Sequence, residues 1–245
     1  MQLTNKTILI TGASDGIGKA TAIECAKAGA TVIIHGKTQP KLELLYDEIV
    51  DAGYAEPVIY PLDFEKMTPD DCETLNDTIQ KEFGKLDGLF NNAGWLGAST
   101  PIQLYDTKLW HRVMQINLNA TYMLTQACLP LLSSADTSSI LFNIDIKNTA
   151  YWGAYGVSKA GVRSFMEILA DEMETSTNNV CGLVPGTVKT GFRTRAFPAE
   201  NPTNLSTPEE VGRAAAFLLS DEGKTINSEA THGKLFSLED VTATL

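Results

Sequence analysis

The chain has 245 residues, 43% of them hydrophobic and 20% charged, an ordinary globular composition with enough apolar material for a core. Its formal net charge of −11 argues against a nucleic-acid partner, which would require a basic face. No apolar run approaches the ~20 residues that span a bilayer and no secretory leader is visible, so the expectation is a cytoplasmic chain with no membrane contact. Cys25, Cys72, Cys128 and Cys181 form no CxxC pair, and His35, His111 and His232 are scattered. They read as free thiols and isolated imidazoles, and no metal site is expected.

In chain order, residues 7–10 are a short β-branched run. A glycine-punctuated turn follows, then a helical stretch over 17–28 that stops at Gly29. A strand is predicted over 31–34, a helix over 41–50 on the spacing of Leu42, Leu45 and Ile49, and a strand over 58–60. Thr68 is the expected N-cap of a helix over 69–83, with Pro69 in its first position. A strand over 86–90 precedes a long helical stretch over 107–132, with an interruption expected near Pro130. A strand over 139–142, a helix over 154–174, a strand over 180–184 and a helix over 209–219 follow. Residues 234–238 read as an edge strand. The segment 191–206, rich in Pro, Asn and Thr, reads as a long loop suited to substrate specificity. Strands alternating with helices of ten or more residues imply an α/β fold. The expectation is one Rossmann-type domain over 1–245, with a doubly wound parallel sheet covered by helices on both faces.

The turn between the first strand and first helix reads Thr11-Gly12-Ala13-Ser14-Asp15-Gly16-Ile17-Gly18. Gly12 allows the tight turn, Gly16 lets the backbone approach a pyrophosphate, and Gly18 lets the helix pack on the sheet. The helix N-terminus then faces the phosphate charge. At the end of the second strand the chain reads His35-Gly36-Lys37-Thr38. An acidic residue there would bind a ribose 2′-hydroxyl. Lys37 and Thr38, helped by Ser14, suit a 2′-phosphate instead, so NADP(H) is the expected cofactor.

The Gly-x-x-x-Gly-x-Gly spacing resembles the cofactor turn of the short-chain dehydrogenase/reductases. Asn91-Asn92-Ala93-Gly94 is similar to that family's NNAG motif. Tyr155-Gly156-Val157-Ser158-Lys159 is similar to its YxxxK motif, and Pro185-Gly186 to its PG motif. All four stand in family order along nearly the whole chain. The resemblance implies hydride transfer between a nicotinamide and a small carbonyl or alcohol substrate, in a homodimer or homotetramer built on the helices over 107–132 and 154–174. It also implies that Asp63 contacts the adenine. Asn92, Ala93, Gly94, Pro185, Gly186, Val188 and Thr190 would line the cofactor, and Lys159 would hold the nicotinamide ribose. Asn117 would help hold a water for a proton relay.

Residues at i and i+4 share a helix face, so Lys159 is expected beside the Tyr155 phenol, lowering its pKa towards use as an acid/base. The family's carbonyl-donating serine has no counterpart: thirteen residues before Tyr155 stands Phe142, and alignment on the strand brings Asp145 to the position. A carboxylate donates no hydrogen bond and discourages phenol ionisation. Three alternatives are open: a protonated Asp145, the Asn143 amide as donor, or Thr149 brought round by a rearranged loop. Two functions follow. One is an NADP(H)-dependent oxidoreductase with Asn117, Tyr155, Lys159 and Asp145 at its centre. The other is a catalytically impaired, NADP(H)-binding regulatory protein.

Overall fold

A computed structural model describes all residues 1–245. The first strand, β1 (Thr7–Thr11), is buried along its whole length, as an aliphatic run at the centre of a parallel sheet must be. Its residues alternate between two apolar layers: Ile8 and Ile10 face one, Leu9 the other. The chain continues through α1 (Gly16–Lys27), β2 (Thr31–Gly36), α2 (Gln39–Asp51), β3 (Val58–Pro61), α3 (Pro69–Phe83) and β4 (Gly88–Asn91). The expected cap of α3 is present in full, Thr68 and Asp71 exchanging side-chain and backbone hydrogen bonds. Then come α4 (Thr107–Met114), α5 (Ala120–Ser133), β5 (Ser138–Asn143), α6 (Gly153–Glu172), β6 (Asn178–Val184), α7 (Gly191–Ala196) and α8 (Pro208–Leu219). The chain ends with β7 (Thr225–Ile226), β8 (Glu229–Ala230), β9 (Leu235–Ser237) and α9 (Leu238–Thr242).

Seven strands form one sheet in the order β3-β2-β1-β4-β5-β6-β9, every neighbouring pair parallel. Helices α1, α2 and α8 pack on one face with Ile10, Ile34 and Leu141. Helices α3, α5 and α6 cover the other with Leu9, Ile33 and Phe142. The chain winds outward from β1 to β3, then returns to place β4 on the other side of β1. A crevice opens beyond the carboxyl ends of β1 and β4, where ligands of such sheets sit.

Three sequence expectations change. The stretch 107–132 is interrupted at a π-turn over Gln115–Asn119, not at Pro130, which α5 carries within it. Pro130 costs α5 one N–H donor, the one that would reach the Gln126 carbonyl, without ending the helix. The extra residue of the π-turn turns Asn117 inward, where it is 1% exposed. The segment 191–206 is not all loop. Thr190 Oγ1 accepts from Arg193 N and starts α7, and Asn201 caps a 3₁₀ turn over Pro202–Asn204. A small antiparallel hairpin of β7 and β8 was not foreseen, its strands being two residues each. All four cysteines are buried and unpaired. Burial pushes the thiols of Cys128 and Cys181 up to about 12, so none is a ready nucleophile. No helix is long and apolar enough to cross a membrane.

Candidate active site

The glycine turn after β1 forms the floor of the crevice. Gly12 has φ +66°, and a Cβ there would stand 2.9 Å from the Ala93 Cα. Only glycine meets both conditions. A Cβ on Gly18 would stand 2.3 Å from the Gly12 carbonyl oxygen, so this residue is what lets α1 start against the turn. Asp15 caps α1, its carboxylate accepting from Gly16 N at 2.8 Å. The turn after β4 is sewn to β1 by Thr11, whose hydroxyl donates to Phe90 O and accepts from the N–H groups of Asn92 and Ala93. Asn92 Nδ2 donates back to Thr11 O at 2.9 Å, and Asn143 Nδ2 donates to Asn92 Oδ1 at 2.9 Å. The ends of β1, β4 and β5 are thereby locked together below the crevice.

The crevice is a continuous cavity of about 420 Å³ running from the glycine turn to Tyr155. Of the residues singled out from sequence, Gly12, Ser14, Asp15, Gly16, Ile17, Lys37, Thr38, Asp63, Asn92, Ala93 and Gly94 line it. So do Asp145, Tyr155, Lys159, Pro185, Gly186, Val188 and Thr190. Gly18 lies behind the turn and Asn117 behind the wall. At one end, Lys37, Thr38 and Lys41 stand past β2 with no carboxylate at the strand end. His35 lies beneath them, its ring centroid 4.4 Å from that of Phe64. Burial pulls its pKa down to about 4, so it is neutral. Asp63 accepts from Glu65 N at 3.1 Å, shaping its own turn while facing the cavity. The elongated shape, glycine floor and cationic end fit a dinucleotide carrying an extra phosphate.

At the other end stands Tyr155 on α6, 4% exposed. Its hydroxyl donates to Asp145 Oδ2 at 2.8 Å, and Asp145 Oδ1 is 3.0 Å from Lys147 Nζ. Lys159, one turn further along α6, donates to Asn143 O at 2.9 Å rather than to the phenol. Burial pulls its pKa down to about 8, against the opposing pull of Asp145. The expectation that Lys159 lowers the Tyr155 pKa is corrected. Burial, then the charge and hydrogen bond of Asp145, hold that phenol well above its ordinary value. Of the alternatives weighed for the carbonyl donor, Asn143 lines the cavity with one of its two amide N–H groups donated to Asn92, and Thr149 is exposed.

Asn117 supports this end from behind. Its Oδ1 accepts from Trp95 N at 2.8 Å, and its Nδ2 donates to Trp95 O and Ser158 Oγ, each at 3.0 Å. Trp152 and Phe192 flank Tyr155 at ring-centroid distances of 5.6 and 5.0 Å, giving the mouth an aromatic wall. Lys41, Lys147, Arg193 and Arg195 also line the cavity and were not among the residues expected. Lys147 and the two arginines sit in segments read as irregular, where no periodicity says which way a side chain points.

Residues 6–201 match the family model described as short chain dehydrogenase. The chain is 38% identical over 225 residues to YciK, an oxidoreductase of Escherichia coli K12, covering 91% of this chain and 89% of that one. It is 31% identical to a cyclohexanol dehydrogenase of Acinetobacter over 92% of each chain. Among solved structures, a short chain dehydrogenase from Pseudomonas syringae superposes with a TM-score of 0.91 at 37% identity, over 96% of this chain and 95% of that one. One from E. coli CFT073, complexed with NADPH, superposes with a TM-score of 0.91 at 37% identity, over 97% and 98%. With the glycine turn, the parallel sheet and the Tyr155–Lys159 pair all in their places, the chain belongs to the short chain dehydrogenase family.

Proposed function

We propose that this protein is an NADP(H)-dependent oxidoreductase acting on a carbonyl or alcohol carbon, with Tyr155 as its acid/base group. The observation that carries the reading is the single cavity joining the phosphate-type cradle at Gly12–Gly16 to the Tyr155 hydroxyl. NADP(H) rather than NAD(H) is supported by Lys37, Lys41 and Thr38 past β2, and by the NADPH and NADP held by two structural relatives. Bound there, the dinucleotide supplies or receives the hydride. Lys159 holds the ribose, and Asp63 faces the adenine end. The four buried thiols suit a reducing, cytoplasmic setting. Exposed Tyr122, Val157 and Ile168 on α5 and α6 offer apolar faces for a homodimer or homotetramer.

Asp145 takes the place of the family's serine, and this changes the proton path. A free phenolate at Tyr155 is disfavoured by burial and by the neighbouring carboxylate. We read Tyr155 and Asp145 as a relay. In alcohol oxidation the substrate hydroxyl proton passes to the Tyr155 oxygen as the Tyr155 proton passes to Asp145 Oδ2, and reduction runs the same path backwards. Lys147, 3.0 Å from the other carboxylate oxygen, holds Asp145 in line. Asn117 keeps Trp95 and Ser158 in place behind Tyr155.

The test follows NADPH oxidation with a panel of aldehydes, ketones and quinones, with Tyr155→Phe beside the wild type. Turnover that falls by about 10²–10⁴-fold in the variant is the expected result, the size of a lost acid/base group. The Tyr155–Asp145 bond also favours a second reading, a cofactor-binding regulator. Tight NADPH binding with no turnover across the panel would select it.

A further inference from the structure

Among the charges at the catalytic mouth, one exposed cation has no carboxylate partner. Asp145 is matched by Lys147 at 3.0 Å. Arg193 is matched by Glu200 through two hydrogen bonds of 2.6 Å, and its guanidinium carbon stands 3.9 Å from the Phe197 ring centre. Lys159 is turned inward to Asn143 O. Arg195, on the same short helix α7, lines the cavity, is exposed, and pairs with no carboxylate. One uncompensated cation facing a cavity is a focus for an anion, the more so on a chain whose net charge is −11.

Lys147 makes an anion tolerable at that spot. Its ammonium lies between Asp145 and the ring of Trp152, 5.3 Å from the ring centre. Its position is set by the backbone: a Cβ on Gly156 would stand 2.2 Å from the Lys147 carbonyl oxygen, so the loop after β5 rests directly on α6. Without Lys147, the Asp145 carboxylate would repel any anion brought next to Tyr155. A purely apolar carbonyl compound would need neither the shield nor the free guanidinium. An aromatic wall of Trp152 and Phe192 beside a single free arginine suits a monoanion on an aryl or alkyl body.

We infer that the carbonyl substrate of this site carries a carboxylate, received by Arg195 while Lys147 shields it from Asp145. The inference rests on the oxidoreductase reading for the word substrate, but the anion site can be read separately by binding.

The experiment titrates the NADP⁺-loaded protein calorimetrically with phenylacetate and with phenylacetamide, probes with no reducible ketone. In parallel, NADPH oxidation is followed with benzoylformate and with its methyl ester. The expected result is at least about tenfold tighter binding of the acid than the amide, and a similar preference in kcat/KM for the keto acid over its ester. Arg195→Gln, an exposed position where folding is not at issue, should remove most of both preferences. Lys147→Met should weaken phenylacetate binding and Lys147→Arg should restore it. Equal binding of acid and amide, or a preference that survives Arg195→Gln, would overturn the inference. If the keto acid and ester are reduced alike and no binding preference appears, the anion site falls and the oxidoreductase stands. If phenylacetate is preferred through Arg195 and neither compound is reduced, the anion site stands and the oxidoreductase reading falls.

Discussion

Asp145 is the residue on which the proposed chemistry turns. A carboxylate 2.8 Å from a buried phenol opposes its ionisation, and here it adds to the larger effect of burial on Tyr155. Asp145→Asn removes the charge but not the burial. The Tyr155 pKa should therefore fall towards its ordinary value without reaching it. Alcohol oxidation needs the proton acceptor in its basic form, so its rate rises with pH. In the wild type that acceptor is the Asp145 carboxylate; in Asp145→Asn it can only be a Tyr155 phenolate, which burial still disfavours, so the rise should begin at higher pH. The amide cannot take a proton, so turnover at neutral pH should drop by about 10²-fold if Asp145 is the relay's terminus. A pH–rate profile of both proteins checks the two effects together, and an unmoved limb would separate Asp145 from Tyr155. Asn117 has a different character. Its side chain satisfies Trp95 N, Trp95 O and Ser158 Oγ in a site 1% exposed. Asn117→Ala leaves Trp95 N and Trp95 O without this partner, while Ser158 keeps its bond to Tyr155 O, at a cost of roughly 2–3 kcal/mol and a fall in Tm of about 5–10 °C. Calorimetry on the cofactor-free protein measures it, whatever the activity.

At the scale of elements, the site is built where three strand ends meet two helices. Thr11, Asn92 and Asn143 lock β1, β4 and β5 through side-chain bonds that no strand ladder supplies. The loop from β5 to α6 rests on the backbone at Gly156, which places both Asp145 and Lys147 without leaving either to a flexible reach. Gly156→Ala would drive a methyl group into the Lys147 carbonyl, at 2.2 Å. The loop must then move, and since α6 is held by Val162, Met166 and Leu169 in the core, the helix itself will not. Turnover should fall by at least about tenfold with little loss of helix, a 1 Å misplacement of reacting groups being sufficient. Circular dichroism beside the NADPH assay distinguishes this from unfolding.

For the whole molecule, the two apolar layers on either side of the sheet hold the crevice open, and its cationic end should make stability depend on which dinucleotide is present. At a hundred times its Kd, NADPH should add about 2.7 kcal/mol to the unfolding free energy. At the same concentration NADH, lacking the 2′-phosphate, should add less. Lys37→Glu places a carboxylate at the strand end and should reverse that order. Thermal melts of both proteins with each dinucleotide decide it. An unchanged order would remove Lys37 from the phosphate contact.

What the amino-acid order determined by itself was the alternation of strands and helices, the glycine turn, and the Tyr155 and Lys159 positions. Each of these rests on local spacing: period two or 3.6, a cap such as Thr68, or a turn only glycine can make. It placed Lys159 beside Tyr155 because i and i+4 share a face, and that much is geometry. Which atom Lys159 bonds was decided by the end of β5, whose Asn143 carbonyl accepts from it at 2.9 Å while the phenol donates to Asp145. The π-turn that turns Asn117 inward, the start of α7 at Thr190, and the convergence of Lys147, Arg193 and Arg195 on one mouth came only with the tertiary structure. Thr190, Lys147 and the two arginines lie in segments without periodicity, and the groups that converge are far apart in sequence. There the direction of a side chain is set by what packs against it rather than by its neighbours along the chain.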